Sequence, residues 1–183
     1  MPNGNTFSIK PIEKIIKKYI SGYSIDPFAN SNRFATVRND LDDQYDTDYH
    51  MDALDFLKLF DDCSVDTVLY DPPYSPRQVA ECYKKLNKSV NMQTTQASYW
   101  SKQKAEIGRI TRVGGVCITC GWNSGGIGKK YGFEIVEILL VSHGGWHNDT
   151  IVTVEQKCEN TVEDESNQIN LFDIGLTNNP YQE

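Results

Sequence analysis

No apolar run in this 183-residue chain approaches the roughly 18 to 20 residues that a membrane span needs, and its polar, charged start lacks the apolar stretch of a secretory signal. A soluble, cytoplasmic protein is expected. Cysteine is sparse and odd in number, with five scattered residues at 63, 82, 117, 120 and 158, which do not look like a secreted disulfide framework and fit reduced thiols better. Cys117 and Cys120 have the spacing of half a zinc site, but "GGVCITCGW" reads as a buried strand, in which residues three apart face opposite ways. Three histidines, none with a cysteine at ligand spacing, add no metal site, so no metal is expected.

Positive charge is also lacking, since the net charge is −7. Its location matters more than its size. Residues 155–183 hold seven acids and one base, while residues 1–154 hold 17 bases and 18 acids, so a local basic face can still meet phosphate. Two domains of different character follow: a globular unit over 1–157, and an acidic, polar tail over 158–183.

Apolar content of 39% supports one packed core. "IEKIIKKYI" (12–20) repeats apolar residues at helical spacing with lysines opposite, and "MDALDFLKLF" reads as a second helix. "YSID", "FATVRN", "VDTVLYD" and "GGVCITCGW" read as strands. The continuous apolar character of "VDTVLYD" suits a sheet covered on both faces. Residues 76–112 are polar, helical in pattern and the most basic segment, with Lys84, Lys85, Lys88, Lys102, Lys104, Arg109 and Arg112. Two β-rich runs around Gly144-Gly145 form an antiparallel pair. Interleaved strands and helices predict an α/β sheet, mostly parallel, with an antiparallel edge strand and helices on both faces. Ligands in such sheets lie beyond the carboxyl ends of the strands, where Asp26 and Asp71 fall.

"LYDPPYSPRQ" (69–78) is the sharpest local feature. Adjacent prolines cannot extend a strand ladder or enter a helix interior, so the strand must stop at Asp71 and present a rigid backbone. Asp71-Pro72-Pro73-Tyr74 after an apolar strand resembles the catalytic motif of amino-group DNA methyltransferases, the adenine-N6 and cytosine-N4 enzymes that use S-adenosylmethionine. Asp26-Pro27-Phe28-Ala29-Asn30-Ser31-Asn32 resembles their "DPFxGxG" cofactor loop, and Lys10-Pro11 their "KP" segment. Asp40 is placed like the acid that binds the cofactor ribose, and Asp52-Ala53 like the "DA" that contacts its adenine. The resemblance covers about residues 8–157 and implies a Rossmann-like methyltransferase fold.

It further implies transfer of a methyl group from S-adenosylmethionine to the N6 of adenine in DNA. An exocyclic amine is a poor nucleophile until acceptors hold its hydrogens and aim a lone pair. Asp71 and the carbonyl of Pro72 are the expected acceptors, Pro72 and Pro73 stiffen the turn, and Tyr74 offers a ring for a flipped base. The alternatives are a methyltransferase-fold binding module without turnover, or an enzyme acting on an RNA or protein amine. "DPPY" as a plain rigid turn is the bland reading.

Two departures stand out. The loop glycines of that family are replaced by Asn30 and Asn32, which tolerate a left-handed backbone better than most residues. Between Asn32 and the strand near Ala35 there is also no room for a crossover helix. A separate recognition domain has no place in the sequence, so Arg77, Gln78, Lys102, Lys104 and His147 are the nucleic-acid candidates, and specificity is expected to be short, loose or supplied by a partner. "GGIGKK" (125–130) departs from a phosphate loop at Asn123 and Lys130 and reads as a plain connection. In the tail, Gln168, Leu171 and Phe172 of "NQINLFD" resemble the "QLxLF" peptides that dock on the bacterial sliding clamp; packing on the domain or between subunits is the alternative.

Overall fold

The computed structural model describes residues 5–86, 97–145 and 148–159. Trp146, His147 and the tail residues Gln168, Leu171 and Phe172 lie outside the described residues. Six strands form one sheet in the order β2-β1-β3-β4-β6-β5. They are β1 (Ser24–Asp26), β2 (Val37–Arg38), β3 (Val65–Tyr70), β4 (Thr111–Gly121), β5 (Phe133–Val141) and β6 (Thr150–Lys157). The helices are α1 (Lys10–Tyr19), α2 (Ala53–Leu57), α3 (Pro76–Lys85) and α4 (Ala97–Ile110). β1 pairs in parallel with β2 and with β3, and β3 with β4, while β6 runs antiparallel to both β4 and β5. The reversed strand therefore belongs to the edge pair, one place in from the edge itself.

Periodicity explains which helix covers which face. Ile12, Ile15 and Ile16 project from one side of α1 and are buried with Leu69, Ile118, Cys120, Val152 and Val154. Fully burying such a side chain is worth about 2 kcal/mol. On the other face α2 and α4 bury Phe56, Leu57, Ile107 and Ile110 against Ile25, Val65, Val68 and Cys117. Cys117 and Cys120 thus stand in different cores, as strand alternation requires.

Three local features differ from the sequence pattern. β2 is only two residues long, because Asn39 leaves the ladder to bridge Tyr49. β4 begins at Thr111 rather than at the glycines, directly after α4, and its register jumps so that Val65 faces Thr111 while Thr67 faces Val116. Third, "GGIGKK" wraps a buried carboxylate: Ile127 and Gly128 donate their backbone N–H groups to Glu155 at 2.6 and 2.9 Å. Gly126, at φ +48°, is required there because a Cβ would collide with that carboxylate. No helix among the described residues is long and apolar enough to cross a membrane.

Candidate active site

β3 delivers Asp71 to the carboxyl edge of the sheet, and the two prolines end the ladder there. Ser75 then caps α3, accepting from the Gln78 N–H at 3.3 Å, with Pro76 at the first helical position, where its missing N–H costs nothing. The turn is braced on three sides. Gln78 accepts from the Tyr74 N–H at 2.6 Å, the indole N–H of Trp100 donates to the Pro73 carbonyl at 2.9 Å, and the Tyr74 hydroxyl donates to the Asp71 carboxylate.

Burial pushes the Asp71 carboxyl above its ordinary pKa, opposed by hydrogen bonds from Tyr74 and Thr6. Burial, together with the negative Asp71, likewise raises the Tyr74 phenol, which stays a neutral donor. Sequence pattern suggests a Tyr74 ring open for stacking. In the structure the ring stands edge-on to Trp122, with centroids 5.5 Å apart, and its hydroxyl is turned onto Asp71. Beside the turn lies a cavity of about 270 Å³ walled by Tyr70, Pro72, Tyr74, Trp100 and Trp122, with Lys104 among its lining residues.

The loop after β1 closes on itself through carboxylates. Asp26, fully buried, accepts from the Phe28 N–H at 3.0 Å and from the Asn32 amide at 2.9 Å. Its pKa is driven well up, first by burial and then by the negative charges of Asp71 and Asp40. Asn30 takes the left-handed backbone at φ 52°, as a glycine substitute must, and donates its N–H to Asp40 at 2.9 Å. Asn32 solves the other glycine position differently, with its side chain holding Asp26 and accepting from Phe34. Phe28 packs on Tyr70 at 5.9 Å, and Ala29 is buried. Burial raises the Asp40 carboxyl too, although its oxygens accept from the N–H groups of Asn30 and Asp42.

Asp52 caps α2 through the Leu54 N–H at 2.9 Å, and its second oxygen accepts from the Tyr83 hydroxyl at 2.7 Å; Ala53 is buried behind it. Lys10 and Pro11 form the first turn of α1, Lys10 exposed, just after the turn that carries Thr6 to Asp71.

Among the nucleic-acid candidates, Arg77 is exposed and paired with Glu81 at 2.9 Å, Lys102 is exposed, Lys104 lines the cavity, and Gln78 is turned inward onto Tyr74. Arg109 is neutralised by Asp62 and Glu106, and Arg112 by Asp66, so the basic character of 76–112 is weaker than its composition suggests. Sequence reasoning missed Thr6, Asn39 and Tyr83, which carry no local signature. The Trp100 bond yields a direct test: Trp100→Phe keeps an aromatic side chain but removes the indole N–H, frees the Pro73 carbonyl, and is expected to cost about 1 kcal/mol of stability, read from the urea midpoint. An unchanged midpoint means that carbonyl finds another partner.

No protein-family model matches the chain, and no curated protein matches it by sequence. Solved structures do match in three dimensions. Over 85% of its length the chain superposes on NodS, an N-methyltransferase from Bradyrhizobium japonicum WM9, at a TM-score of 0.53 and 7% identity, covering 98% of that chain. The fold is the Rossmann-like methyltransferase fold. SMU.776, a candidate methyltransferase complexed with SAH, matches 83% of the chain at a TM-score of 0.54 and 11% identity. TrmN from Thermus thermophilus matches 81% at a TM-score of 0.50 and 15% identity. This chain spans 50% of SMU.776 and 47% of TrmN. Within the methyltransferase fold Asp26, Asp40, Asp52 and Asp71 all belong to the carboxyl edge of β1, β2 and β3 or the loops that leave it.

Proposed function

We propose that this protein is a methyltransferase that moves a methyl group from S-adenosylmethionine to the N6 of adenine in DNA. The observation that carries this reading is Asp71, a carboxylate held at a strand end by a rigid diproline turn, beside an aromatic-walled cavity.

The residues suit the cofactor. Asp26 and Asp40 each have a raised carboxyl pKa, and Asp26 feels the negative charge of Asp40, so a cation seated beside that loop is stabilised. Asp26, Phe28, Ala29, Asn30 and Asp40 would hold it, with Lys10, Pro11, Asp52 and Ala53 around it. When bound, S-adenosylmethionine supplies a methyl group on a positively charged sulfur.

The protein's own part is to prepare the amine. The Asp71 carboxylate and the Pro72 carbonyl accept its two hydrogens, which favours a directed lone pair over conjugation with the ring. Trp100 and Gln78 keep the turn from relaxing, so the acceptors need not reorganise during reaction. Tyr74 must release Asp71 for the amine to enter, exchanging one donor for another. The aromatic walls accept the planar base by stacking once it leaves a duplex or single strand. Lys104 and the exposed Lys102 and Arg77 meet phosphate.

Because only the ionised Asp71 accepts both charge and hydrogen, turnover is expected to fall as pH drops through its raised pKa. The acid limb of kcat/KM against pH, which reports the free enzyme, therefore lies above the ordinary aspartate value of about 3.9. A limb at or below that value contradicts the upward shift of the Asp71 carboxyl.

A second reading, a binding module without turnover, is favoured by one observation: Tyr83 occupies an oxygen of Asp52, and Asp26 and Asp40 are engaged by their own loop. Calorimetric titration with S-adenosylmethionine separates the two. Incubating varied DNAs and an RNA with labelled cofactor, then digesting to nucleosides, tests the substrate. Cofactor binding without N6-methyladenine from any DNA sinks the adenine assignment, and label in RNA alone redirects it.

A further inference from the structure

We infer that β5 is a self-association edge, on which a second copy of this chain pairs antiparallel to form one continuous sheet. The inference is independent of the proposed reaction. It begins with a missing helix. β6 is antiparallel to both β4 and β5, so β4 and β5 run the same way, and their connection is a parallel crossover of the kind that normally lays a helix over the sheet. Here residues 122–132 carry only a single turn of 3₁₀ helix at Lys129–Tyr131, and the loop is spent on wrapping Glu155.

Among the described residues, nothing covers the outer part of that face. Ile135, Ile138 and Leu140 are 50%, 51% and 61% exposed, and Val136, in the bulge between them, 48%. Contiguous apolar exposure on a sheet edge is a docking surface or an aggregation hazard, because the edge also offers unpaired backbone groups.

Charge on the strand favours a second copy. Ile135, Ile138 and Leu140 lie opposite Glu155, Thr153 and Ile151 of β6, so they share the face away from α1, and β5 places no charged side chain there. Its acids point to the other face, where Glu137 is held by Lys18 and accepts from the Tyr19 hydroxyl. A two-fold axis at Leu139 sets Ile138 of each copy across from Leu140 of the other and Glu137 across from Val141, so the two carboxylates do not meet. β5 contains no proline to block the ladder. Antiparallel joining points the carboxyl edges of the two sheets in opposite directions, and each copy keeps its own site open.

The contact is small, near or below about 1,200 Å² in total, so the dimer is expected to dissociate on dilution. Sedimentation velocity of the full chain from about 1 to 200 µM tests this. A rise in the weight-average mass towards twice the monomer is expected, abolished by Leu140→Lys and by Ile138→Lys. Both side chains are half-exposed, so circular dichroism and thermal midpoint should hold, which separates lost association from lost folding. A monomer throughout the range overturns the inference, and so does a dimer indifferent to both substitutions.

Discussion

Asp71→Ala is expected to lower methyl transfer by 100-fold or more while leaving the affinity for S-adenosylmethionine within a few-fold. The substitution removes one of the two acceptors that hold the amine, and loss of a preorganised transition-state partner costs on that order. Binding should change little, because Asp71 reaches the cofactor loop only through its field on Asp26, and removing that charge eases the buried Asp26 carboxyl. Tyr74 also loses its acceptor in the variant, so Tyr74→Phe is the necessary companion. If the hydroxyl merely parks on Asp71, Tyr74→Phe stays within about tenfold of the native rate. Single-turnover rates with saturating cofactor decide the matter, and near-native activity in Asp71→Ala removes the motif from catalysis.

Asn39→Leu is expected to cost on the order of 3 kcal/mol or more, a large share of the 5–15 kcal/mol that holds a typical domain together. Asn39 is fully buried and sits where three segments meet. Its amide donates to the carbonyls of Pro27 and Met51, each at 3.0 Å, and its carbonyl accepts from the Met51 N–H at 3.0 Å. Its backbone accepts from Ala29 and donates to Asp26. Leucine fills similar volume but strands the buried Pro27 carbonyl and the part-buried carbonyl and N–H of Met51, and the penalty is their desolvation rather than a cavity. Because the same side chain ties the loop of Asp26 to the segment leading to Asp52, surviving folded protein should also bind S-adenosylmethionine more weakly. Urea unfolding followed by tryptophan fluorescence checks the first effect and calorimetry the second. A midpoint within experimental error of the native value refutes the bracing role.

These two residues mark the line between what is legible in the sequence and what is not. Asp71 announces itself: an apolar strand run into two prolines has few solutions, since proline removes the ladder donor and locks φ, and the strand end of an α/β sheet is where ligands bind. By the same local logic the chain alone specifies the amphipathic α1, the buried β3 and β4, the split of Cys117 and Cys120 between faces, and the lack of a helix between β1 and β2. Each depends on residues within a few positions of one another, where periodicity and backbone restriction act directly.

Tertiary structure decided the rest. Asn39 is one polar residue beside an acid until the fold brings Pro27 and Met51 to it. Thr6 reaches Asp71, and Tyr83 reaches Asp52, across segments whose sequence separation hides the contact. The positive charge of 76–112 is partly cancelled by Asp62, Asp66 and Glu106, two of which lie far away in the chain. The bare face of β5 follows from a crossover loop drawn to Glu155, a residue that comes later on β6. Hydrogen bonds and ion pairs depend on distances of about 3 Å between groups that only the packed chain makes neighbours, whereas strand ends and helix faces are set by the covalent backbone and the spacing of apolar residues.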